Sequence, residues 1–285
     1  MTEALRTADG RALAYRRTGD GPALVCHPGG PGFSSLYFGD LAGLGERLSL
    51  VLLNPRGTDG SDRPSDARAY AIADYVRDLE ELRAHLGLER MHLLGHSHGG
   101  VVAMAYAAAY PARLDRLVLA STLPRFAEAQ QAAMVQGMER RRDEPWYDDA
   151  RAALEAEQAG EFGSDEELGD LALREFPFYF ARYGDAERAY LETLRDHVPN
   201  GDALQLFNNE IFLTYDLRPD LAHVHAPTLV ITGEDDFITG PDCAAEIADA
   251  IAGTETVVLP GTGHFLFVEA RERFRDEVWR FLGVA

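Results

Sequence analysis

The sequence contains no lysine and only two cysteines, Cys26 and Cys243. The absence of lysine excludes a catalytic lysine amine, and every basic residue among the 27 counted as Lys or Arg is an arginine. The two cysteines stand alone rather than in a Cys-X-X-Cys pair. We therefore expect reduced, buried thiols, and neither disulfides nor a structural metal.

Long apolar runs are also missing. The longest, residues 101–110, is about half the length of a membrane span. Residues 1–15 lack the apolar stretch of a signal peptide. These absences predict a cytoplasmic protein with no membrane partner.

Positive charge is scarce, because 47 acidic residues outweigh 27 basic ones and give a formal net charge of −20. Nucleic acid and anionic membranes would be repelled, so neither is an expected partner. With 46% hydrophobic residues, the 285-residue chain can bury a large core, either as one domain or as a core with an insertion. Its oligomeric state is not indicated.

Residues 91–110 have the pattern of a short buried strand, an abrupt turn and an alanine-rich helix. The turn carries Gly-X-Ser-X-Gly, with Gly95, Ser97 and Gly99, which is typical of a nucleophile elbow. A serine at such a corner is strained, and a Cβ at either glycine would collide with the neighbouring helix or strand. The pattern predicts Ser97 as a nucleophile, the alternative being an ordinary Gly/Ser-rich turn.

Strand and helix patterns alternate around this elbow. Strands are predicted at residues 3–5, 13–17, 23–26, 48–53, 114–120, 227–233 and 256–259, and helices at 34–47, 72–86, 244–251 and 269–282. This alternation predicts an α/β fold, with a mostly parallel central sheet flanked by helices on both faces.

The alternation is interrupted over residues 123–216, which are helical and more polar in pattern. We predict an inserted helical cap here, acting as a lid over a site, and a core domain made of residues 1–122 and 217–285. Ser164 and the acidic residues after it predict a helix start. Aromatic residues cluster in the cap, and we expect more of them in its core than against substrate: Phe176, Phe178, Tyr179, Phe180, Tyr183, Phe207, Phe212 and Tyr215.

Ser97, an acid after strand 227–233 and His264 after the last strand follow one another in the order Ser, Asp, His. That order on a parallel sheet is typical of a hydrolase triad, and each residue follows the carboxyl end of a strand. An imidazole can accept the serine proton, and a carboxylate can hold its tautomer. Asp235 and Asp236 both fit the acid by position.

The loop over residues 27–32 reads His-Pro-Gly-Gly-Pro-Gly, a composition that excludes helix and central strand. Its alternatives are a tight turn and an oxyanion-hole loop. Pro28 has no amide, so we predict that the amides of Gly29 and His98 hold the oxyanion. His96 is expected to pack nearby. The histidines at 92, 96 and 98 lack a carboxylate at ligand spacing, so no metal is expected.

Together these motifs resemble the α/β-hydrolase family and, within it, the proline iminopeptidase (prolyl aminopeptidase) branch. The motifs that carry the resemblance are Gly29-Gly30-Pro31-Gly32, Pro55-Arg56-Gly57-X-X-Gly60-Ser61, Gly95-X-Ser97-X-Gly99-Gly100, Gly233-X-X-Asp236 and Gly263-His264-Phe265. The resemblance implies a cofactor-free serine hydrolase and favours Asp236 over Asp235 as the acid.

The family binds the free amine of its substrate with acidic residues near the end of the cap and beside the catalytic aspartate. The resemblance therefore makes Glu210 a candidate amine ligand, unless it is a solvated helix carboxylate. The second position holds Phe237 instead of an acid, and the loop places Pro28 where the family has histidine. Gly30 and Phe237 join Glu210 as predicted substrate-binding residues.

The predicted function is a serine hydrolase that forms an acyl-enzyme on a small molecule or short peptide with a free N-terminus, as an aminopeptidase or amidase. A carboxylic ester hydrolase is the first alternative. A small-molecule receptor without turnover is an alternative of another class. Serine at the elbow, at Ser97, argues against the related enzymes that use aspartate there.

Overall fold

A computed structural model describes residues 2–66 and 68–284. Met1, Ala67 and Ala285, which fall in the predicted core domain, lie outside the described residues. The strands are β1 (Thr2–Arg6), β2 (Ala12–Thr18), β3 (Ala23–His27), β4 (Ser49–Leu53), β5 (Met91–His96), β6 (Leu114–Ala120), β7 (Thr228–Gly233) and β8 (Glu255–Leu259). They form one sheet in the order β1-β2-β4-β3-β5-β6-β7-β8.

The sheet is antiparallel at one edge and parallel elsewhere. β1 and β2 form an antiparallel hairpin, and β2 pairs antiparallel with β4. The remaining five pairings, from β4 through β3 to β8, are parallel. The predicted α/β class is confirmed. The carboxyl ends of these parallel strands meet at one edge, where ligand sites of open α/β sheets lie.

Helices cover both faces of the sheet. They are α1 (Ile72–His85), α2 (His98–Ala109), α3 (Glu128–Glu139), α4 (Tyr147–Gln158), α5 (Asp165–Glu175), α6 (Asp185–Glu192), α7 (Gly201–Leu206), α8 (Arg218–Leu221), α9 (Pro241–Ala250), α10 (Leu266–Glu269) and α11 (Arg271–Leu282). Successive strand side chains point to opposite faces, so Leu93 joins one apolar cluster and Leu94 the other. Burial on both faces explains the nearly continuous apolar strands.

The predicted helix over residues 34–47 is wrong. Two short 3₁₀ helices, Ser35–Phe38 and Leu41–Glu46, occupy that stretch. Glycine weakens a helix, and here Gly39 (φ 56°) and Gly43 (φ 81°) adopt left-handed backbone angles that end a right-handed helix. The segment therefore forms two short helical turns instead of one helix.

The segment between β6 and β7 is helical, as predicted, and contains α3 to α8. A β-bridge joins Arg125 to Asp216 and ties the two ends of this segment together. α5 begins at the expected cap, since the Ser164 hydroxyl accepts a hydrogen bond from the Glu167 amide. We call the segment the helical insertion. Its status as a separate domain stays a prediction. No helix among the described residues combines the length and apolarity needed to cross a bilayer.

Candidate active site

Ser97 lies at the corner between β5 and α2, with φ 56° and ψ −124°. A positive φ is rare for a residue with a side chain and marks a strained position. Two hydrogen bonds hold the corner: the Ser97 amide donates to the Ala120 carbonyl (3.0 Å), and the Thr122 hydroxyl donates to the Ser97 carbonyl (2.7 Å). The Ser97 hydroxyl makes no capping bond to α2 and stays available for chemistry.

The glycines around Ser97 are required by close packing. A Cβ on Gly95 would overlap the carbonyl of Gly99, and a Cβ on Gly99 would overlap the carbonyls of His27 and Pro28. These contacts are with backbone, which cannot rotate away as a side chain could. The packing around Ser97 therefore leaves no room for a side chain at Gly95 or Gly99, as expected for a nucleophile elbow.

The structure brings Asp236 and His264 together. Asp236 follows β7, His264 follows β8, and Nδ1 of His264 lies 2.8 Å from Oδ2 of Asp236, with both side chains buried. An ionised carboxylate only accepts, so Nδ1 carries the proton and Nε2 is left free to accept one. Of the two adjacent acids, Asp236 makes this contact.

Asp236 accepts four hydrogen bonds in all. Besides His264, the donors are the amides of Ile238 (3.1 Å) and Thr239 (3.0 Å) and the Thr239 hydroxyl (2.6 Å). Burial acts to raise the pKa of Asp236, but His264 and the Thr239 donors outweigh it and lower that pKa below the usual range. The acid is therefore a buried carboxylate. Thr239 was not predicted as a site residue, because no sequence motif distinguishes it.

Ser97 and His264 line the same cavity. Within the described part of the chain, no hydrogen bond joins the Ser97 hydroxyl to His264. Catalytic hydrogen bonds are often long without substrate and shorten when it binds. The three predicted triad residues thus lie around one site, and the hydrogen bond between Asp236 and His264 is already formed.

The two predicted oxyanion donors differ in their availability. The His98 amide lies in the first turn of α2, where the helix itself provides no acceptor. The Gly29 amide instead donates to the hydroxyl of Tyr37 at 2.6 Å. Gly30 lines the cavity, and no hydrogen bond among the described residues uses its amide. Among the described residues, the Gly29 amide is thus already hydrogen-bonded to Tyr37, whereas the amide of Gly30, which lines the cavity, is not hydrogen-bonded.

The flanking histidines are buried and support the site through packing. The His96 ring contacts Tyr37 and the main chain of His264. The His98 ring packs edge-on against Tyr75 and Phe207, with centroid distances of 5.4 and 4.8 Å. In the described residues, no group of three or more His, Cys, Asp or Glu side chains is arranged to hold a metal ion.

A cavity of about 250 Å³ lies above Ser97, between the strand ends and the helical insertion. Most of its lining is apolar. Of the eight clustered aromatics expected mainly in the core, five line the cavity: Phe176, Tyr179, Phe207, Phe212 and Tyr215. The insertion therefore supplies much of the surface that a substrate would contact.

Two carboxylates, Glu157 from α4 and Glu175 from α5, also line this cavity. Asn208 donates to Glu157 (3.4 Å) and Tyr179 to one oxygen of Glu175 (3.5 Å), while the other Glu175 oxygen is buried and has no hydrogen-bond partner among the described residues. Burial raises the pKa of both carboxyls, and the charge of Glu157 raises that of Glu175 further. Each of the two carboxyls therefore favours its neutral form more than an exposed glutamate does.

The residues predicted to bind substrate are placed differently. Gly30 lines the cavity, but Glu210 does not: its side chain is 52% exposed and pairs with Arg68 at 3.4 Å. Phe237 is 2% exposed and packs against the ring of Phe178. Glu210 therefore behaves as a surface carboxylate and Phe237 as a core residue. The spacing of residues along each helix does not indicate that Glu157 and Glu175 come together, so this pair was not predicted.

Comparisons with known proteins agree with this fold. The model of the α/β hydrolase fold family matches residues 22–270. A proline iminopeptidase of Lactobacillus helveticus is 29% identical over 273 residues, covering 89% of this chain and 87% of the relative. A hydrolase from Pseudomonas aeruginosa PA01 has a TM-score of 0.72 and 27% identity, covering 99% of this chain and 98% of that one. The enol-lactonase from Burkholderia xenovorans LB400 has a TM-score of 0.74 and 25% identity, with coverage of 99% and 100%.

This chain belongs to the α/β hydrolase fold family. Within that family it is similar to proline iminopeptidases, which confirms the resemblance seen in the sequence. Relatives named as peptidase, lactonase and hydrolase identify it as a hydrolase enzyme. The alternative of a receptor without turnover is therefore set aside.

Proposed function

We propose that this enzyme hydrolyses a small amide or peptide substrate through an acyl-enzyme, with Ser97 as nucleophile, His264 as base and Asp236 as the acid that orients it. The observation that carries the proposal is the buried Asp236–His264 pair beside the strained Ser97 corner, at one cavity. This arrangement supports a triad on a parallel sheet.

In the first step, the Ser97 oxygen attacks the substrate carbonyl while its proton passes to Nε2 of His264. Asp236 stabilises the imidazolium that forms, because it accepts from Nδ1 at 2.8 Å. The carbonyl oxygen becomes an oxyanion, for which we propose the amides of His98 and Gly30 as donors. Gly30 replaces Gly29 because the Gly29 amide is bonded to Tyr37.

In the second step, the imidazolium gives its proton to the leaving amine, and the acyl group stays on Ser97. Water then attacks this ester as His264 takes one of its protons, and the serine is released when that proton returns. This cycle uses only Ser97, His264, Asp236 and water, so it requires no cofactor.

The carboxylates of Glu157 and Glu175 support a substrate that carries a free amine. A buried carboxylate pair in an apolar cavity is costly without a cation, and an ammonium group would match its charge. The proline iminopeptidase relatives agree with this class. Under this proposal Glu157 and Glu175 take the role that the resemblance gave to Glu210.

A carboxylic ester is the second candidate substrate. Its specific support is the mostly apolar lining of the cavity together with the similarity to a structure named as an enol-lactonase, since a lactone is a cyclic ester. The same triad would act on it, with an alcohol rather than an amine leaving.

A paired assay distinguishes the two substrate classes. The purified protein is tested on proline p-nitroanilide and on p-nitrophenyl butyrate, with Ser97→Ala as the control for both. Turnover of the anilide that is lost in Ser97→Ala supports the amide proposal. Turnover of the ester alone would favour the second candidate.

A comparison of carboxylate variants tests the amine site. Glu175→Gln removes one buried carboxyl group, and we expect a loss of about 10- to 100-fold in kcat/KM on proline p-nitroanilide, the usual worth of a hydrogen bond to a charged group. The ester, which has no amine, should be affected much less. Glu210→Gln should change neither rate, because its side chain is exposed outside the cavity. The reverse result would return the amine-binding role to Glu210.

A further inference from the structure

Three hydrogen bonds form a continuous chain under the active site. The Gly29 amide donates to the Tyr37 hydroxyl (2.6 Å), that hydroxyl lies 2.7 Å from Nδ1 of His96, and Nε2 of His96 lies 3.0 Å from the carbonyl oxygen of His264. Tyr37 and His96 are both buried, at 4% and 1% exposure. The chain therefore joins the loop after β3 to the loop after β8 without solvent between them.

Only one arrangement of protons satisfies all three bonds. The Gly29 amide can only donate, so the Tyr37 oxygen accepts from it and offers its own proton to Nδ1 of His96. The proton of a neutral imidazole then lies on Nε2, facing the His264 carbonyl, which can only accept. With the proton on Nδ1 instead, two lone pairs would face each other at 3.0 Å.

The buried surroundings keep His96 in this neutral form. Burial lowers the pKa of His96 to about 3, and the nearby His264 ring lowers it as well. Both ring nitrogens are occupied, one by Tyr37 and one by main chain. His96 therefore has no free nitrogen to act as the base for Ser97.

Each end of the chain meets part of the proposed machinery. At one end, a Cβ on Gly29 would lie 2.8 Å from the Cβ of Ser97, and the next residue is Gly30, the proposed oxyanion donor. At the other end, His96 holds the carbonyl of the base itself. A shift of either loop relative to Ser97 would misplace a donor or an acceptor in the transition state.

We propose that Tyr37 and His96 are positioning residues, which hold the Gly29–Gly30 loop and the main chain of His264 in register on either side of Ser97. This role rests on the function proposed above for Ser97 and His264. It gives a functional role to His96, which precedes Ser97 in the Gly-X-Ser-X-Gly motif, and to Tyr37, which belongs to none of the motifs identified in the sequence.

Substitutions along the chain test the role in steady-state kinetics. Tyr37→Phe removes one hydroxyl, and we expect kcat to fall about 10- to 100-fold with KM nearly unchanged, as for other groups that orient a catalytic residue. His96→Gln keeps a donor and an acceptor and should retain much more activity than His96→Leu, which keeps neither. Tyr106→Phe is the matched control, since the buried Tyr106 hydroxyl bonds Glu80 away from the cavity.

Titration of active sites with a serine-directed phosphonate separates positioning from misfolding. The kinetic loss in Tyr37→Phe should persist when kcat is expressed per titratable site. The proposal would be overturned if Tyr37→Phe behaved like Tyr106→Phe, or if a lower number of titratable sites explained the whole loss. Equal activity of His96→Gln and His96→Leu would also overturn it.

A measurement independent of activity tests the proton arrangement. In protein with ¹⁵N-labelled histidine, NMR should show His96 as the neutral Nε2–H tautomer at pH 7, and Tyr37→Phe should shift its Nδ1 resonance. An Nδ1–H tautomer would contradict the chain. This result does not depend on Ser97, so it distinguishes failure of the positioning role from failure of the proposed function.

Discussion

The amide of His264 donates a 2.7 Å hydrogen bond to the carbonyl oxygen of Tyr179, which lies in the helical insertion. The proposed base thus takes part of its main-chain support from the insertion that covers it. Glu269 reinforces the junction, because its carboxylate accepts from the amides of Gly263 and Ala181, each at 2.8 Å. Three hydrogen bonds therefore connect the insertion and the His264 loop, one directly and two through Glu269.

Glu269 should make the stability of the fold depend on pH. Burial raises the pKa of Glu269 from its usual 4.5 to about 7. A raised folded-state pKa means that the protonated form is favoured by folding, so this contribution is largest below about pH 4.5 and is lost as pH rises through about 7. Between pH 5 and 8 the loss amounts to about 2 kcal/mol in the free energy of unfolding.

Urea unfolding of the wild type and of Glu269→Gln at pH 5 and pH 8 measures this effect. The difference in unfolding free energy between the two proteins should change by about 2 kcal/mol across that interval. Glu272→Gln, at an exposed position in the next helix, α11, is the control and should track the wild type. Parallel curves for Glu269→Gln and the wild type would contradict the prediction.

Thr239 is expected to orient the acid of the proposed triad. Thr239→Val removes the hydroxyl that donates to Oδ2 of Asp236 at 2.6 Å but preserves the shape of the side chain. Because Asp236 then loses one of its four donors, we expect kcat to fall about 10-fold, within the range reported for groups that orient a catalytic ligand. Steady-state kinetics on the preferred substrate provide the measurement.

Two control variants accompany Thr239→Val. Thr239→Ser restores the hydroxyl and should recover most of the activity. Thr228→Val removes another buried threonine hydroxyl, which bonds the Ala226 carbonyl instead, and should leave kcat unchanged. A similar kcat for Thr239→Val and Thr228→Val would show that the hydrogen bond to Asp236 has no kinetic role.

Gly99 is expected to tolerate no side chain. A Cβ there would overlap the carbonyls of both His27 and Pro28, so Gly99→Ala must displace the loop that leads to Gly30. We expect a loss of about 100-fold or more in kcat, because the proposed oxyanion donor moves away from Ser97. Gly45→Ala is the control, since its Cβ would meet no atom closer than 3.7 Å. Full activity in Gly99→Ala would contradict the packing argument.

Much of the fold was predictable because parallel strands are apolar and short and end in glycine-rich loops. Ser97 and His264 could be proposed for the same reason, since Ser97 directly follows β5 and His264 lies in the loop after β8. The prediction of a helix over residues 34–47 was wrong, because the glycines at 39 and 43 interrupt the helix despite the spacing of the apolar residues. Local patterns therefore located strand ends well and irregular turns poorly.

The contacts that complete the site were not predictable, because they join residues distant in the chain. Tyr37 meets His96 across 59 positions, and Thr239 meets His264 across 25. Glu175 meets Glu157 only because α4 packs against α5, and helical periodicity does not say which helices pair. Alignment with a family motif pointed to Glu210 instead, whose side chain turns to Arg68 at the surface.

The central claim is that Ser97 is the nucleophile, and covalent labelling tests it most directly. The purified enzyme is treated with a serine-directed phosphonate, and mass spectrometry of its peptides locates the adduct. We predict one adduct, on Ser97, formed in parallel with loss of activity and absent from Ser97→Ala. Labelling of another residue with loss of activity, or unchanged turnover in Ser97→Ala, would contradict the account.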